Sequence, residues 1–567
     1  MRKSLTIHTG SGNLKLIRKL GINSEFSYGY KQFEGGRKMK RKLFALPFVL
    51  ILFIALAACS GEKDSSKQAG TSKSGNPKDG GALTIGVSDN PDTMNPLYAN
   101  DRVSLTVQQA LYAPLYHMED GKKKFVLAES FTPSEDQLTW TLKLKDNLKW
   151  HDGKKITSDD IAFTFQSILD EKQNSSSREN FIFKGKPLEV KKVDELTTQF
   201  VLPQVSASFE GVMNDFFPIP KHVFEGEADL AKSTKNLQPV GSGPFKFKEY
   251  KSDEYVALDR FDDYVGGKAK LDSIVYRVVK DRNTANVSLQ NGQINMKMIE
   301  PQDFKKLDST GNFSMVTFPE GRLFYLSYNM NTDLMKKKEV RQAIAHALDK
   351  KEMINSAFVS GEFAEPANSI LTPDAMYYAK DIKDYTYDKK EAKDLLAKAG
   401  VKDKEKVRVM YVTNNKIMES LALYTQQKLQ EVGLQVELNA LDASAASEKG
   451  LDKENKEYDI TFGGYIMGPE PDSYKSLFLS NAEYNYARYK NADFDKLWEE
   501  AAVETDKTKR AELYHKIQET AREDVPYLPI AYPKAVIAVD KKFDGLKEAK
   551  AIPVTMFEDL SKIYEVK

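Results

Sequence analysis

The sequence predicts an α/β protein built in at least two lobes, and three observations lead there. The chain has 567 residues, more than one hydrophobic core supports, because cores stop growing near ~250–300 residues. Its second half alternates strand-like and helix-like apolar patterns, the mark of parallel α/β layers. It holds a single cysteine, Cys59, so no disulfide framework replaces a large core. Basic and acidic residues number 83 and 82, a net charge of +1. They are spread along the chain without a basic stripe, which excludes nucleic acid as a partner. Tyr and Phe number 27 and 30; such rings fill cores, and Tyr also suits a wet binding cleft.

Lys40-Arg41-Lys42 precedes an uncharged run from Leu43 to Ala58. A membrane-spanning helix needs roughly 20 apolar residues, so this shorter run fits the core of a secretory signal. Leu56-Ala57-Ala58-Cys59 resembles the bacterial lipobox. That resemblance implies lipidation of Cys59, cleavage just before it, and a mature chain on the extracytoplasmic face of the cell membrane of a Gram-positive bacterium. A buried thiol or an uncleaved anchor is the alternative. Such a signal begins near a start codon, so Met39 is the better first residue, 39–58 is the signal peptide, and 1–38 reads as an over-extended gene model. Residues 59–81 are rich in Ser, Gly, Lys and Asp without apolar periodicity, which predicts a flexible tether.

The folded body begins with Ala82–Val87, which alternates like a strand and runs into a turn-rich segment. A helix is predicted around Val103–Tyr112. Leu138, Trp140, Leu142 and Leu144 fall on every second residue, giving a strand with one apolar face. Asp146-Asn147 breaks it, Leu148 and Trp150 resume it, and His151-Asp152-Gly153-Lys154 is turn chemistry. Thr157 then caps a helix, with Asp160 three residues on in a capping-box arrangement, and Ile161, Phe165 and Ile168 form its buried stripe. Gly241-Ser242-Gly243-Pro244 lacks the Gly-Lys-Ser/Thr ending of a phosphate loop, so it reads as a tight turn before a strand at 245–250. Val340, Ile344 and Leu348 face inward on a helix whose Arg341 is assigned to surface or hinge ion pairing.

The second half sets out strands and helices in turn. Asp388–Ala399 is helical and stops at Gly400, Val407, Val409 and Tyr411 alternate, and Ile417–Val432 carries a helical stripe ended by Gly433. Leu434, Val436, Leu438 and Ala440 alternate again, and Tyr458–Tyr465 makes another strand. Ligands of such sheets sit in crevices at the carboxyl ends of strands, so the loop from Gly463 to Tyr474 becomes the place to search. Two glycines there permit close backbone approach, two prolines stiffen the path, and two carboxylates stand beside an aromatic ring.

Several blocks carry a family resemblance. They are "LAES" (127–130), Leu-x-Trp-x-Leu, "WHDGKKITSDDI", "VGSGPFKFKEY" (240–250), "VRQAIAHALDK" (340–350) and "EPDSYKSLF" (470–478). In this order they resemble the extracytoplasmic solute-binding proteins of family 5, which serve oligopeptide, dipeptide and nickel ABC transporters. The resemblance spans about residues 82–560. It implies a periplasmic-binding-protein-like two-lobe fold (class II, the large cluster C type with an extra subdomain). Lobe one would comprise 82–124, 241–318 and 535–567, the extra subdomain 125–240, and lobe two 319–534.

The resemblance also implies a monomeric, non-enzymatic lipoprotein without cofactor. It would close two lobes on a small peptide and deliver it to the transmembrane subunits of an ABC permease. In peptide binders of this family an acid near this loop holds the ligand's α-ammonium. Their aspartate lies several residues before the proline pair, where this chain has Ile466, Met467 and Gly468. Asp472 or Glu470 therefore serves, or both cap the helix from Ser473. Tyr465, Met467, Gly468 and Pro469 are the remaining loop candidates. In "GRLFYLSYNMN" (321–331), Tyr325, Tyr328 and Asn329 correspond to cleft-facing positions of the family or belong to the core, and Asn95 in the first-lobe turn is a further candidate.

Other chemistries have little support in the residues. His117, His151, His222, His346 and His515 stand apart without helical ligand spacing, which predicts no metal site. No Gly-x-Ser-x-Gly elbow occurs. The alternatives left open are another cargo in the same fold (a metal chelate, an amino acid, a sugar or a signalling peptide), a secreted hydrolase of peptides, and an adhesion or chaperone role.

Overall fold

The computed structural model describes residues 76–119 and 121–567; Cys59, the signal at 39–58, residues 1–38 and tether residues 59–75 lie outside these. The last residues of the expected tether belong to the folded body. Pro77–Lys78 pairs antiparallel with Tyr564–Val566. Gly80 and Gly81, at φ +89° and +100°, then bring the backbone against Lys270 O and the Asp272 carboxylate. Only glycine takes that path without strain.

The two lobes share one strand. Tyr527–Asp540 is 14 residues long, which at ~3.3 Å per residue gives it a length of roughly 45 Å. Its second half pairs with Phe313–Pro319 and Met296–Ile299 in the first lobe. Its first half pairs with Arg322–Tyr328 in the second. The long strand changes partners between these halves: its pairing with Phe313–Pro319 ends at Pro319 opposite Lys534, and its pairing with Arg322–Tyr328 begins at Phe324 opposite Ala531. Gly321 sits at φ +66° with Pro553 and Asp374 close to its backbone, so a side chain there would be both strained and crowded.

The first-lobe sheet runs Phe245–Lys251, Tyr255–Arg260, Ser273–Val278, Ala82–Val87, Met296–Ile299 and the shared strand. Ala82–Val87 is parallel to both of its neighbours. Helix Arg102–Leu111 follows the first strand and is capped by Asp101, which accepts from Ser104 N at 2.9 Å. The turn at Gly241–Pro244 packs onto the end of that helix: a Cβ on Gly241 would lie 1.9 Å from Leu111 O. A smaller sheet of Ala128–Pro133, Thr139–Leu144, Thr197–Val201 and Glu189–Lys192 carries helix Ser158–Leu169. The capping box forms as the sequence predicts, Thr157 N donating to Asp160 Oδ2 at 2.9 Å, an arrangement worth about 1 kcal/mol. Ile161, Phe165 and Ile168 are fully buried, in a cluster that also holds Leu83, Ile537 and Ile563.

The second-lobe sheet continues from the shared strand through Arg322–Tyr328, Ile460–Ile466, Lys406–Val412 and Gln435–Leu441. Lys406–Val412 is parallel to both neighbours, as alternating strands and helices require. Helices Lys389–Lys398 and Lys416–Glu431 are followed by Gly400 and Gly433 in the left-handed region, the usual way for a helix to stop.

Strand Arg322–Tyr328 differs from a half-exposed strand, because both of its faces are covered. Phe324, Leu326 and Tyr328 enter one apolar cluster while Leu323 and Tyr325 enter another. Arg341 also differs from expectation. It is 4% exposed, and its guanidinium donates to the carbonyls of Met335, Lys336, Asp524 and Val525. It satisfies the last carbonyls of helix Lys507–Asp524 rather than pairing with an acid, which helix ends require when buried.

Candidate functional site

The loop after strand Ile460–Ile466 is positioned from both sides. Gly463 faces Tyr325 across the ladder, and a Cβ on it would lie 2.5 Å from the Tyr325 hydroxyl, so the ring seats directly on glycine backbone. The Tyr325 ring packs edge-on against Tyr527 at 5.0 Å and tilted against Tyr465 at 5.5 Å. Burial pushes the hydroxyls of Tyr325 and Tyr465 well above the ordinary phenol range. Tyr465 donates its hydroxyl to Ile370 O at 2.5 Å. Met467 is buried, with its N–H on Gly321 O at 2.7 Å. Gly468 N donates to the Tyr474 hydroxyl, and Pro469 O accepts from Met376 N at 2.8 Å. The loop is thus tied to Gly321 and to the 368–378 segment.

The two carboxylates, two residues apart, have different surroundings. Glu470 meets Arg510 through both oxygens, at 2.8 and 3.1 Å, with each side chain 3% exposed. Its Oε1 also accepts from Asp472 N, capping the 3₁₀ turn Pro471–Leu477. Burial pushes the Glu470 carboxyl up and Arg510 opposes that shift. Burial likewise pulls Arg510 down, but Glu470 together with Tyr514 and Tyr377 more than offsets it and the guanidinium stays above its ordinary value. Arg510 also contacts the faces of Tyr377 and Tyr514, which stack on each other at 5.2 Å. A bidentate pair of this kind holds charge on both partners and leaves little for a third group.

Asp472 is 6% exposed. Its Oδ2 accepts from Lys475 Nζ at 3.1 Å and from the hydroxyl of Ser208, a residue of the first lobe, at 3.3 Å. Its Oδ1 is buried without a hydrogen-bond partner. A carboxylate oxygen in that position accepts a strong donor readily, because an unpaired buried acceptor is costly.

The other sequence candidates lie elsewhere. Tyr328 is fully buried and donates to Arg341 O at 3.2 Å. Asn329, also fully buried, donates to Asn455 O and Tyr458 O at 3.0 Å each and accepts from Asn331 N at 3.1 Å. Asn95 closes a first-lobe turn through Asn236 at 2.9 Å and Leu97 N at 3.0 Å. These three have their polar groups satisfied inside one lobe, whereas Tyr325, Tyr465, Met467, Gly468, Pro469, Glu470 and Asp472 come together. Sequence reasoning passed over Arg510, Tyr377, Tyr514 and Ser208. Arg510 is flanked by Lys507, Lys509 and Glu512, but it falls on the buried stripe of its helix with Tyr514, Ile517 and Ala521, and that helical spacing is the local signal that could have found it.

Comparison with known proteins gives a consistent result. The profile of the bacterial extracellular solute-binding proteins, family 5 middle region, matches residues 124–486. The oligopeptide-binding protein AppA of Bacillus subtilis (strain 168) is 32% identical over 533 residues, covering 90% of this chain and 97% of its own. The ABC transporter substrate binding protein CtaP of Listeria monocytogenes has a TM-score of 0.83 at 49% identity, across 86% of this chain and 100% of its own. Bacillus subtilis AppA, solved in complex with a nonapeptide, has a TM-score of 0.70 at 30% identity, across 87% and 100%.

Proposed function

The chain belongs to the bacterial extracellular solute-binding proteins of family 5, and on that premise we propose that it is the peptide-capturing component of an ABC importer, tethered by lipid on Cys59. Its work is binding and motion, without bond-making: two lobes joined at Glu320-Gly321 and Tyr532–Lys534 close on cargo and present it to a permease. Cargo shifts the open and closed populations by touching both lobes at once. Peptide main chain is met by backbone at strand ends, and side chains lie where bridging water tolerates variety.

The observation that carries the reading is the unequal pairing of the two acids. Glu470 is neutralised by Arg510, while Asp472, whose Oδ2 is held by Lys475 and Ser208, keeps its other oxygen buried without a hydrogen-bond partner. We assign Asp472 as the group that receives the α-ammonium of the peptide. A charge-assisted hydrogen bond of this kind contributes about 1.5–3 kcal/mol, about ten- to 150-fold in affinity. Calorimetry of Asp472→Asn with a mixed set of free and N-acetylated peptides tests it. The free peptides should bind that much more weakly, and the acetylated ones about as they do to the unsubstituted protein. Equal affinity of both proteins for free peptides would remove Asp472 from this role.

A further inference from the structure

A second contact joins the lobes, and it is made by the chain alone. The segment from Ser206 to Gly211 belongs to the small sheet's core: Phe209 packs among Phe131, Trp140 and Phe200, and the Tyr116 hydroxyl donates to Glu210 O at 2.6 Å. From that rigid seat the segment reaches the second lobe. Ala207 N donates to Ala502 O at 2.9 Å, and Ala207 O accepts from Arg510 Nη1 at 3.1 Å. Ser208, oriented by Ser206 at 3.1 Å, donates to Asp472 Oδ2 at 3.3 Å. One residue thus offers both backbone groups across the lobe boundary, and Ala502 O is one of the last carbonyls of helix Ala492–Val503, which needs a partner from outside its helix.

Gly211 shows how tightly the two surfaces fit. A Cβ on it would lie 2.8 Å from Glu470 Oε2 and 3.0 Å from Glu470 Cβ. Glu470 cannot swing aside, because Arg510 holds both its oxygens and Asp472 N holds one. Glycine costs helix stability, so its place in the short helix Phe209–Val212 is explained by the approach of the other lobe.

We propose that closure is held by this latch, in which residues 206–211 dock on the Glu470–Arg510 pair, Asp472 and the end of helix Ala492–Val503. Every partner is a group of the chain itself, so the latch favours the closed form whatever the cargo. It sets the fraction of molecules closed before binding, and with it the apparent affinity, since a binding-competent state that is partly populated lowers affinity by that fraction. The inference does not depend on the cargo being a peptide.

The test is small-angle scattering of the purified protein without added ligand, beside Gly211→Val and Ser208→Ala. Gly211→Val should shift the closed-to-open ratio by about tenfold or more, seen as a larger radius of gyration, with circular dichroism confirming the unchanged fold. Ser208→Ala, which adds no bulk, should move it the same way by less. Identical scattering of all three folded proteins would overturn the latch. Should the variants open while no peptide binds to any of them, the latch stands and the peptide reading falls.

Discussion

The contrast between Glu470 and Asp472 makes a demanding test of the electrostatic argument. Glu470→Gln keeps the size of the side chain and one oxygen for the Asp472 N–H, but removes the charge that Arg510 faces. Both members are 3% exposed, so the variant leaves a guanidinium in a nearly dry site. Breaking a buried pair from one side costs about 3–5 kcal/mol. Because the amide still accepts one bond, the lower end, about 3 kcal/mol, is expected. A domain's whole stability is about 5–15 kcal/mol, so the loss is plain in urea unfolding, and hydrogen exchange of residues 467–477 and of helix Lys507–Asp524 should localise it. Asp472→Asn in the same loop loses mainly an ion pair with the half-exposed Lys475, worth under about 1 kcal/mol. Stability within about 0.5 kcal/mol of the unsubstituted protein for Glu470→Gln, together with a loss of peptide affinity, would reverse the two roles and refute the reasoning.

Two further outcomes follow from other parts of the chain. His151 accepts from Gly241 N at Nδ1 and faces Gly243 O with Nε2, each at 3.1 Å, so only the neutral ring fits, and burial pulls its pKa down to about 4. The unfolded chain, near the ordinary 6.5, binds the proton more readily, so His151 contributes stability above pH 6.5 that is lost as pH falls towards 4. At ~1.4 kcal/mol per unit the loss is at most about 3.5 kcal/mol, less what solvent screens at this half-buried ring. The melting temperature of the unsubstituted protein should fall more between pH 7 and 4.5 than that of His151→Gln; parallel curves would count against it. Cys59→Ala should release the protein from membranes into the medium, read by fractionation and immunoblot, and full retention would exclude a lipid anchor at this residue.

Much of the fold was legible in the sequence because its signals are local. Strand Ala82–Val87, the Thr157–Asp160 capping box, the turn at Gly241–Pro244 and the glycine stops at Gly400 and Gly433 depend on residues a few positions apart. A helix end needs a cap and a left-handed turn needs glycine wherever it occurs. The alternation in 322–328 was equally legible, yet it could not tell that both faces would be covered. The second cover comes from Trp498, Tyr514 and Tyr527, far along the chain. Asn329 and Asn95 were visible as polar residues beside turns, but a polar side chain satisfied by its own lobe has the same letter as one that meets cargo.

The acids at 470 and 472 draw the boundary most clearly. The residues themselves determined that a loop with two carboxylates, two glycines and two prolines stands at the carboxyl end of a strand. Which of those carboxylates is spent on the fold was decided by Arg510, 40 positions away, and by Ser208 in the other lobe. Charge pairing in a dry interior depends on which surfaces meet when the chain folds, and that meeting leaves no periodicity for the sequence to display.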